Sequence, residues 1–280
     1  VSGNPSVMGA ILSPGFSDNF FAPLYNLPLM FECDSSFSLR VAPLHSSFIT
    51  YPEIRYYLPK DIPEGFNKIA NGIFYSPIIK GISVPVPVTR FVDKLSHRKN
   101  PIPITMICGP KGSGKSTFTR FFINRLLNSH QKVACLDIDP GQPEFSIPGC
   151  LSLTFVDTFC FNNPEHNTIQ NKQIRIFYGS ITPSDNLDYF KACISYLMGL
   201  FQCENKEEDS QDNDSDTFLV VNSFGWIQDL GFTIHQEIIN EIIHPHQIIV
   251  LHKPDEKPAK LSDQLFRYEV QPKSGQNSIT

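Results

Sequence analysis

The sequence predicts an α/β protein whose main body is a three-layer domain built on a parallel sheet, preceded by a mostly β N-terminal domain. Three observations carry this expectation. An apolar run at 102–108 ends directly in a glycine-rich loop, further apolar strands alternate with amphipathic helices as far as residue 252, and the composition changes near residue 98. Strands separated by helices imply parallel pairing through right-handed crossovers, which covers both faces of the sheet with helices.

Residues 1–98 are rich in Pro, Phe, Tyr and Ser, with short β-prone pieces at 36–41, 47–51 and 54–58. Frequent prolines argue against long helices there. The segment closes with the stretch 81–88 (GISVPVPV) and a polar linker at 94–101. The second domain, 99–252, opens with the continuous apolar run 102–108, suited to a strand buried on both faces. A helix follows at 115–128, where Phe118, Phe121, Phe122, Arg125 and Leu126 recur at helical spacing. Strands are expected at 132–137, 218–222 and 247–251, and helices at 185–201 and 233–243. The tail 253–280 is polar and weakly patterned.

Apolar residues make up 41% of the 280 and charged residues 18%, the balance of an ordinary globular chain. No apolar run approaches the roughly 18–20 residues that cross a bilayer, so no membrane partner is expected. The seven cysteines form no C-x-x-C pair, which favours buried thiols in a reducing compartment over disulfides or zinc. The formal charge of −5 is concentrated in 204–216 (ENKEEDSQDNDSD), expected to be a solvated surface loop; the remainder carries 21 acids against 22 bases. Net charge therefore gives no argument for a nucleic-acid partner.

The loop at 109–116 reads GPKGSGKS and satisfies G-x-x-x-x-G-K-[ST] between an expected strand and an expected helix, the context that makes this pattern a phosphate loop. A P-loop NTPase fold follows. Gly109, Pro110, Lys111, Gly112, Ser113, Gly114, Lys115, Ser116 and Thr117 are thus candidate ATP-binding residues. The glycines let backbone N–H groups wrap a phosphate at a helix N-terminus. Lys115 is expected to reach the β- and γ-phosphates, and the Ser116 hydroxyl to ligate magnesium. Phosphoryl transfer also needs carboxylates near the metal and the nucleophile, and Asp137 and Asp139 occupy the tip of the next expected strand. Alternation along that strand end points both the same way, so one can help to hold the metal while the other accepts a proton. His252-Lys-Pro-Asp255 imitates the guanine-reading N-K-x-D motif but lacks its Asn.

With GPKGSGKST, DIDPGQPEFSIPGCLSL, Phe177-Tyr-Gly179 and Val221-Asn-Ser-Phe-Gly-Trp226 in this order, the chain resembles the polynucleotide 5′-hydroxyl kinases, and within them the nucleolar branch of pre-rRNA processing. The resemblance covers residues 100–252. It implies ATP and magnesium as cofactors, Lys115 and Asp139 as catalytic residues, and Asp139 as general base toward an RNA 5′-hydroxyl. Ser116 and Asp137 would serve the metal. Gln142, Ser223 and Trp226 would meet RNA, the tryptophan by stacking on the terminal base, a sequence-tolerant contact. A pre-rRNA endoribonuclease subunit as partner and a nucleolar location are implied too. The competing class is a P-loop scaffold subunit that holds ATP without turnover.

Two departures from the family pattern stand out. Ser223 replaces a threonine, and the arginine-bearing lid has no counterpart except the isolated Arg267. With Val1 in place of a Met at the start, the sequence reads as a fragment that ends before the lid and a C-terminal domain.

Overall fold

The computed structural model describes residues 6–16, 31–32, 67–70, 73–75, 84, 86–96, 104–129, 132–161, 172–207, 217–251 and 266–270. The chain divides into two compact units, Val1–Ser83 and Val84–Thr280. In the first, β1 (Ser6–Val7) pairs antiparallel with β2 (Ala10–Ile11) and with β3 (Phe31–Glu32). Met8 and Gly9 join β1 to β2 with φ of 45° and 85°. Positive φ at both central residues is the turn whose twist suits a two-residue hairpin. A second antiparallel pair, β4 (Asn67–Ala70) and β5 (Ile73–Tyr75), completes the described part of this unit. The expected strands at 36–41, 47–51 and 54–58 lie outside the described residues, as does the 252–255 motif.

The second unit begins earlier than residue 98. Residues expected to close the β domain form helix α1 (Val86–Ser96), whose Val88, Val92 and Leu95 are buried in the core of this unit. Pro87 lies in the first turn of α1, where a missing N–H forfeits no helical hydrogen bond, so the prolines there start a helix rather than exclude one.

Seven strands form the sheet: β6 (Ile104–Cys108), β7 (Val133–Asp137), β8 (Cys150–Val156), β9 (Lys172–Phe177), β10 (Phe218–Asn222), β11 (Gln247–Leu251) and β12 (Phe266–Val270). Their order is β12-β11-β6-β10-β7-β8-β9. The first five in that order are parallel, as the sequence predicts. The strands β8 and β9, absent from the sequence reading, add an antiparallel flank. The tail also contributes, since β12 pairs with β11 from Gln247↔Phe266 onward.

Alternation along each strand sorts side chains to the two faces. Met106, Leu136, Val221 and Val250 meet α3 (Leu187–Glu207), α4 (Asp229–Ile238) and the π-helical turn Ile239–Ile243. Ile107, Cys135, Val220 and Ile249 meet α1 and α2 (Lys115–Leu127). The helix α3 runs into the acidic tract as far as Glu207, where Glu204 pairs with Lys172 at 2.7 Å; residues 208–216 lie outside the described residues. Although β7 follows β6 in sequence, β10 lies between them in space. The carboxyl tips of β6, β10 and β7 therefore stand side by side at one edge, with the loop after β10 between the phosphate loop and the acidic residues.

Candidate functional site

The phosphate loop turns from β6 into α2 through Gly114, whose φ of 89° is left-handed and unfavourable to a side chain. The first hydrogen bond of α2 runs from the Phe118 N–H to the Gly114 carbonyl at 2.8 Å. The N–H groups of Lys115, Ser116 and Thr117 precede it and have no helical acceptor, which makes them donors for an anion. Within the loop, Ser113 N–H donates to the Pro110 carbonyl at 3.2 Å, and the buried Ser113 hydroxyl has no partner among the described residues. Gly109 is buried, whereas Lys111 and Gly112 face solvent. Lys115 is buried, and its Nζ donates to the carbonyls of Gly109 at 2.9 Å and Pro110 at 3.3 Å. Burial lowers its pKa, opposed by the charge of Asp139 and then by Cys108 and Asp137. The ammonium thus sits among acceptors at the mouth of the cradle.

Asp137 and Asp139 part company. Asp137 is fully buried. Its Oδ1 accepts from Asp139 N–H at 3.2 Å and from Asn222 Nδ2 at 3.1 Å, and its Oδ2 accepts from Glu144 N–H. Burial pushes its pKa up to about 7 against these hydrogen bonds. A weaker contact at 3.5 Å extends the chain from Asn222 to Thr119 on α2. Asp139 instead uses one oxygen, Oδ1, to accept Gly141 and Gln142 N–H groups at 3.0 Å each. Among the described residues its Oδ2 takes no hydrogen bond, which leaves a lone pair to receive a proton. Gln142 is exposed beside it.

Sequence reasoning missed Glu144. The loop between β7 and β8 folds back and buries this carboxylate near Ser116, with Arg120 Nε 2.9 Å away. Burial pushes its pKa up to about 8, with Arg120 opposing. The helical spacing of Ser116 and Arg120 was visible in the sequence; the returning loop that brings Glu144 to them was not.

The loop after β10 lies across the phosphate loop. A Cβ on Gly225 would stand 3.0 Å from Lys111 N and 3.2 Å from Lys115 Nζ, so a side chain there would press on the phosphate loop. Trp226 follows with 37% of its surface exposed. Its indole packs against Gly231 of α4, where an added Cβ would come within 2.6 Å of the ring. Ser223 is placed differently from expectation. It is fully buried, and its hydroxyl donates to the Phe224 carbonyl at 3.4 Å, so it sits inside the loop rather than on its surface. Beneath it, the buried His235 ring lies 3.9 Å from the Phe224 ring, and Nδ1 donates to the Gly231 carbonyl at 2.8 Å. A carbonyl only accepts, so Nδ1 holds the proton, and Nε2, without a partner among the described residues, is a bare lone pair. Burial drives this imidazole down to about 4.

No group of three His, Cys, Asp or Glu residues among the described residues could hold a metal, and no described helix is long and apolar enough to cross a membrane. Five of the described cysteines are buried free thiols, and Cys203 is an exposed one.

The family described as mRNA cleavage and polyadenylation factor CLP1 P-loop matches residues 109–278, well over half of the chain. The chain belongs to this CLP1 P-loop family. It is similar to "Polynucleotide 5′-hydroxyl-kinase GRC3" of Gibberella zeae, at 37% identity over 174 residues, covering 58% of this chain and 23% of that protein. Arabidopsis thaliana "Polynucleotide 5′-hydroxyl-kinase NOL9" is 33% identical over 152 residues, covering 52% of this chain and 39% of that one. The chain thus spans well under half the length of these curated relatives. Among solved structures, "Structure of wild-type Clp1p-Pcf11p (454 -563) complex" matches with a TM-score of 0.54 and 17% identity, over 69% of this chain and 49% of that chain. At that identity the likeness is one of fold, and it agrees with the CLP1 P-loop family match.

Proposed function

We propose that this CLP1 P-loop chain transfers the γ-phosphoryl group of ATP to the 5′-hydroxyl end of RNA, with magnesium, during pre-rRNA processing in the nucleolus. One observation carries the reading. Asp139 holds an unbonded carboxylate oxygen at a strand tip whose charge reaches Lys115, beside a loop that presents Trp226 to solvent. A base, a phosphate-binding cation and a stacking surface thus share one edge of the sheet.

The N–H groups that open α2 would bind the phosphates, and Lys115 would exchange its two carbonyl contacts for phosphate oxygens. The 5′-hydroxyl would give its proton to Asp139 Oδ2 as it attacks, and Gly141 and Gln142 N–H groups hold that carboxylate in orientation through Oδ1. Trp226 would stack on the terminal base, and exposed Gln142, next to Asp139, would meet the RNA end. The donors near Ser116 are hydroxyl and carboxylate oxygens, the hard set that suits magnesium. When bound, magnesium supplies charge neutralisation at the β- and γ-phosphate oxygens. An RNA 5′-hydroxyl arises when an endoribonuclease leaves the phosphate on the 3′ end of the upstream fragment, and a pre-rRNA endoribonuclease subunit of that kind would be the partner.

The test is incubation with γ-labelled ATP and a short 5′-hydroxyl RNA, with the 5′-phosphorylated RNA as control. Label on the first RNA alone is expected. A protein that binds ATP and labels neither RNA is the ATP-holding scaffold instead.

A further inference from the structure

The segment Phe177-Tyr178-Gly179 takes no part in the phosphoryl transfer proposed for the chain, yet it exposes an aromatic ring beside the loop that carries Asp139. Phe177 ends β9 with 71% of its surface exposed. A lone exposed ring is ordinary on a protein surface; this one is fixed in place. Tyr178 and Gly179 N–H groups both donate to the Gly149 carbonyl, at 2.9 and 3.0 Å, and the Tyr189 hydroxyl of α3 donates to the Phe177 carbonyl at 3.2 Å. The ring lies between Gly149 and Gly179, where an added Cβ would touch opposite ring edges, Cε2 at 3.7 Å and Cε1 at 3.5 Å. The same lacing runs to the proposed base. Gly149 N–H donates to the carbonyl of Pro140, the residue after Asp139, at 2.8 Å, and a Cβ on Gly141 would come within 2.9 Å of the Ile181 carbonyl. Gly141 N–H in turn holds Asp139 Oδ1. A cation stands beside the ring as well. Arg175 lies two residues before Phe177 on β9, so both project from one face of the sheet, about 7 Å apart along the strand. Gln173, anchored to the Thr154 hydroxyl at 2.8 Å, accepts from Arg175 Nε and orients the guanidinium. Arg175 is exposed and forms no ion pair among the described residues, whereas Lys172, on the opposite face, is taken by Glu204.

We propose that Phe177 and Arg175 form a second RNA subsite, in which the ring stacks on a base downstream of the 5′-terminal nucleotide and Arg175 meets a neighbouring phosphate. The inference rests on the reading of a 5′-hydroxyl RNA end at Asp139. An aromatic face next to an exposed guanidinium is the chemistry that holds single-stranded nucleic acid, because stacking serves any base and cations track the backbone. A protein surface would also cover an apolar ring. The place of this ring, on the border of the Asp139 loop, favours a strand whose end lies at that carboxylate. The subsite makes the acceptor an oligonucleotide rather than a single nucleotide.

The experiment measures the affinity of the whole chain for 5′-hydroxyl hexaribonucleotides by fluorescence anisotropy, with thermal midpoints read in parallel. A single abasic residue is stepped through every position after the first. Phe177→Ala should weaken binding of the intact RNA about 5- to 150-fold, the worth of one base–aromatic stack, with the midpoint unchanged, and Phe177→Tyr should retain the wild-type affinity. In the wild type one abasic position should cost a similar factor. In Phe177→Ala that position should cost nothing more, because the stack is already lost. Arg175→Gln should flatten the dependence of log affinity on log salt by about 0.7, the share of one phosphate on a single strand. Undiminished RNA affinity in Phe177→Ala overturns the inference, as does an abasic penalty that persists at every position in that variant; either result leaves the ring to a protein partner. A wild-type chain that binds no RNA overturns the reading of an RNA end itself.

Discussion

The phosphate loop and the segment between β7 and β8 approach the same edge of the sheet by opposite means. The loop at 109–116 works through main-chain N–H groups, and only its glycines, Lys115 and Ser116 are chemically constrained. The segment from Asp137 to Glu144 works through three carboxylates, each in a different state: Asp137 sealed and fully bonded, Asp139 buried at the strand tip with one oxygen bonded, Glu144 buried beside Arg120. A backbone cradle tolerates neighbours, whereas a set of carboxylates assigns one task to each position. Substitutions in the first region should therefore remove nucleotide handling as a whole, and those in the second should separate binding from transfer.

The largest effect is expected at Lys115. Replacement by alanine deletes the cation that neutralises the transferring phosphoryl group, and both transfer and ATP affinity should fall, with transfer dropping below detection in the labelled-RNA assay. Full retained transfer would remove the cradle from the mechanism and erase the contrast.

Next in size is a pH effect behind the loop that carries Trp226. A histidine in the unfolded chain titrates near 6.5, whereas buried His235 titrates near 4. The unfolded state binds the proton more readily, so the stabilisation is complete above pH 6.5 and is lost as the pH falls toward 4, by about 3 kcal/mol. Urea unfolding at pH 7 and pH 4 should show that His235→Phe loses less stability over this interval than the wild type. Equal losses would mean that the ring is not held neutral by the fold.

A smaller effect is expected at the rim. Trp226→Ala should cost about 1–3 kcal/mol of RNA-end binding, the value of one base–aromatic stack, with ATP affinity and the thermal midpoint nearly unchanged. Gly231→Ala should disturb the loop more broadly and lower the thermal midpoint, because its Cβ would meet the Trp226 carbonyl as well as the indole. A collapsed midpoint in Trp226→Ala, on the scale of about 3–5 kcal/mol for a lost core aromatic, would make the tryptophan a packing residue.

The same contrast explains what the sequence disclosed. The phosphate loop is contiguous and flanked by a strand and a helix of regular period, so its place could be read directly. Asp139 was legible because it stands two residues beyond a strand end. Glu144 was not, because it reaches Ser116 only after a loop reverses the chain into β8, a strand whose residues are nearly all buried and show no alternation. The helix α1 was hidden by Pro87 in its first turn. The edge strand β12 lay in a polar tail, where pairing with β11 rather than an apolar pattern makes the strand. Ser223 carried the right hydroxyl at the right place in the motif, but burial is a tertiary property that the motif does not encode.

The most direct test of the division among the carboxylates is single-turnover transfer to a 5′-hydroxyl RNA by Asp139→Asn, with ATP affinity measured on the same protein. The account predicts transfer slowed by about 10²- to 10⁴-fold, the usual worth of a general base, with ATP binding intact. Loss of ATP binding with no separate effect on turnover would contradict it, and would make Asp139 a structural or metal residue.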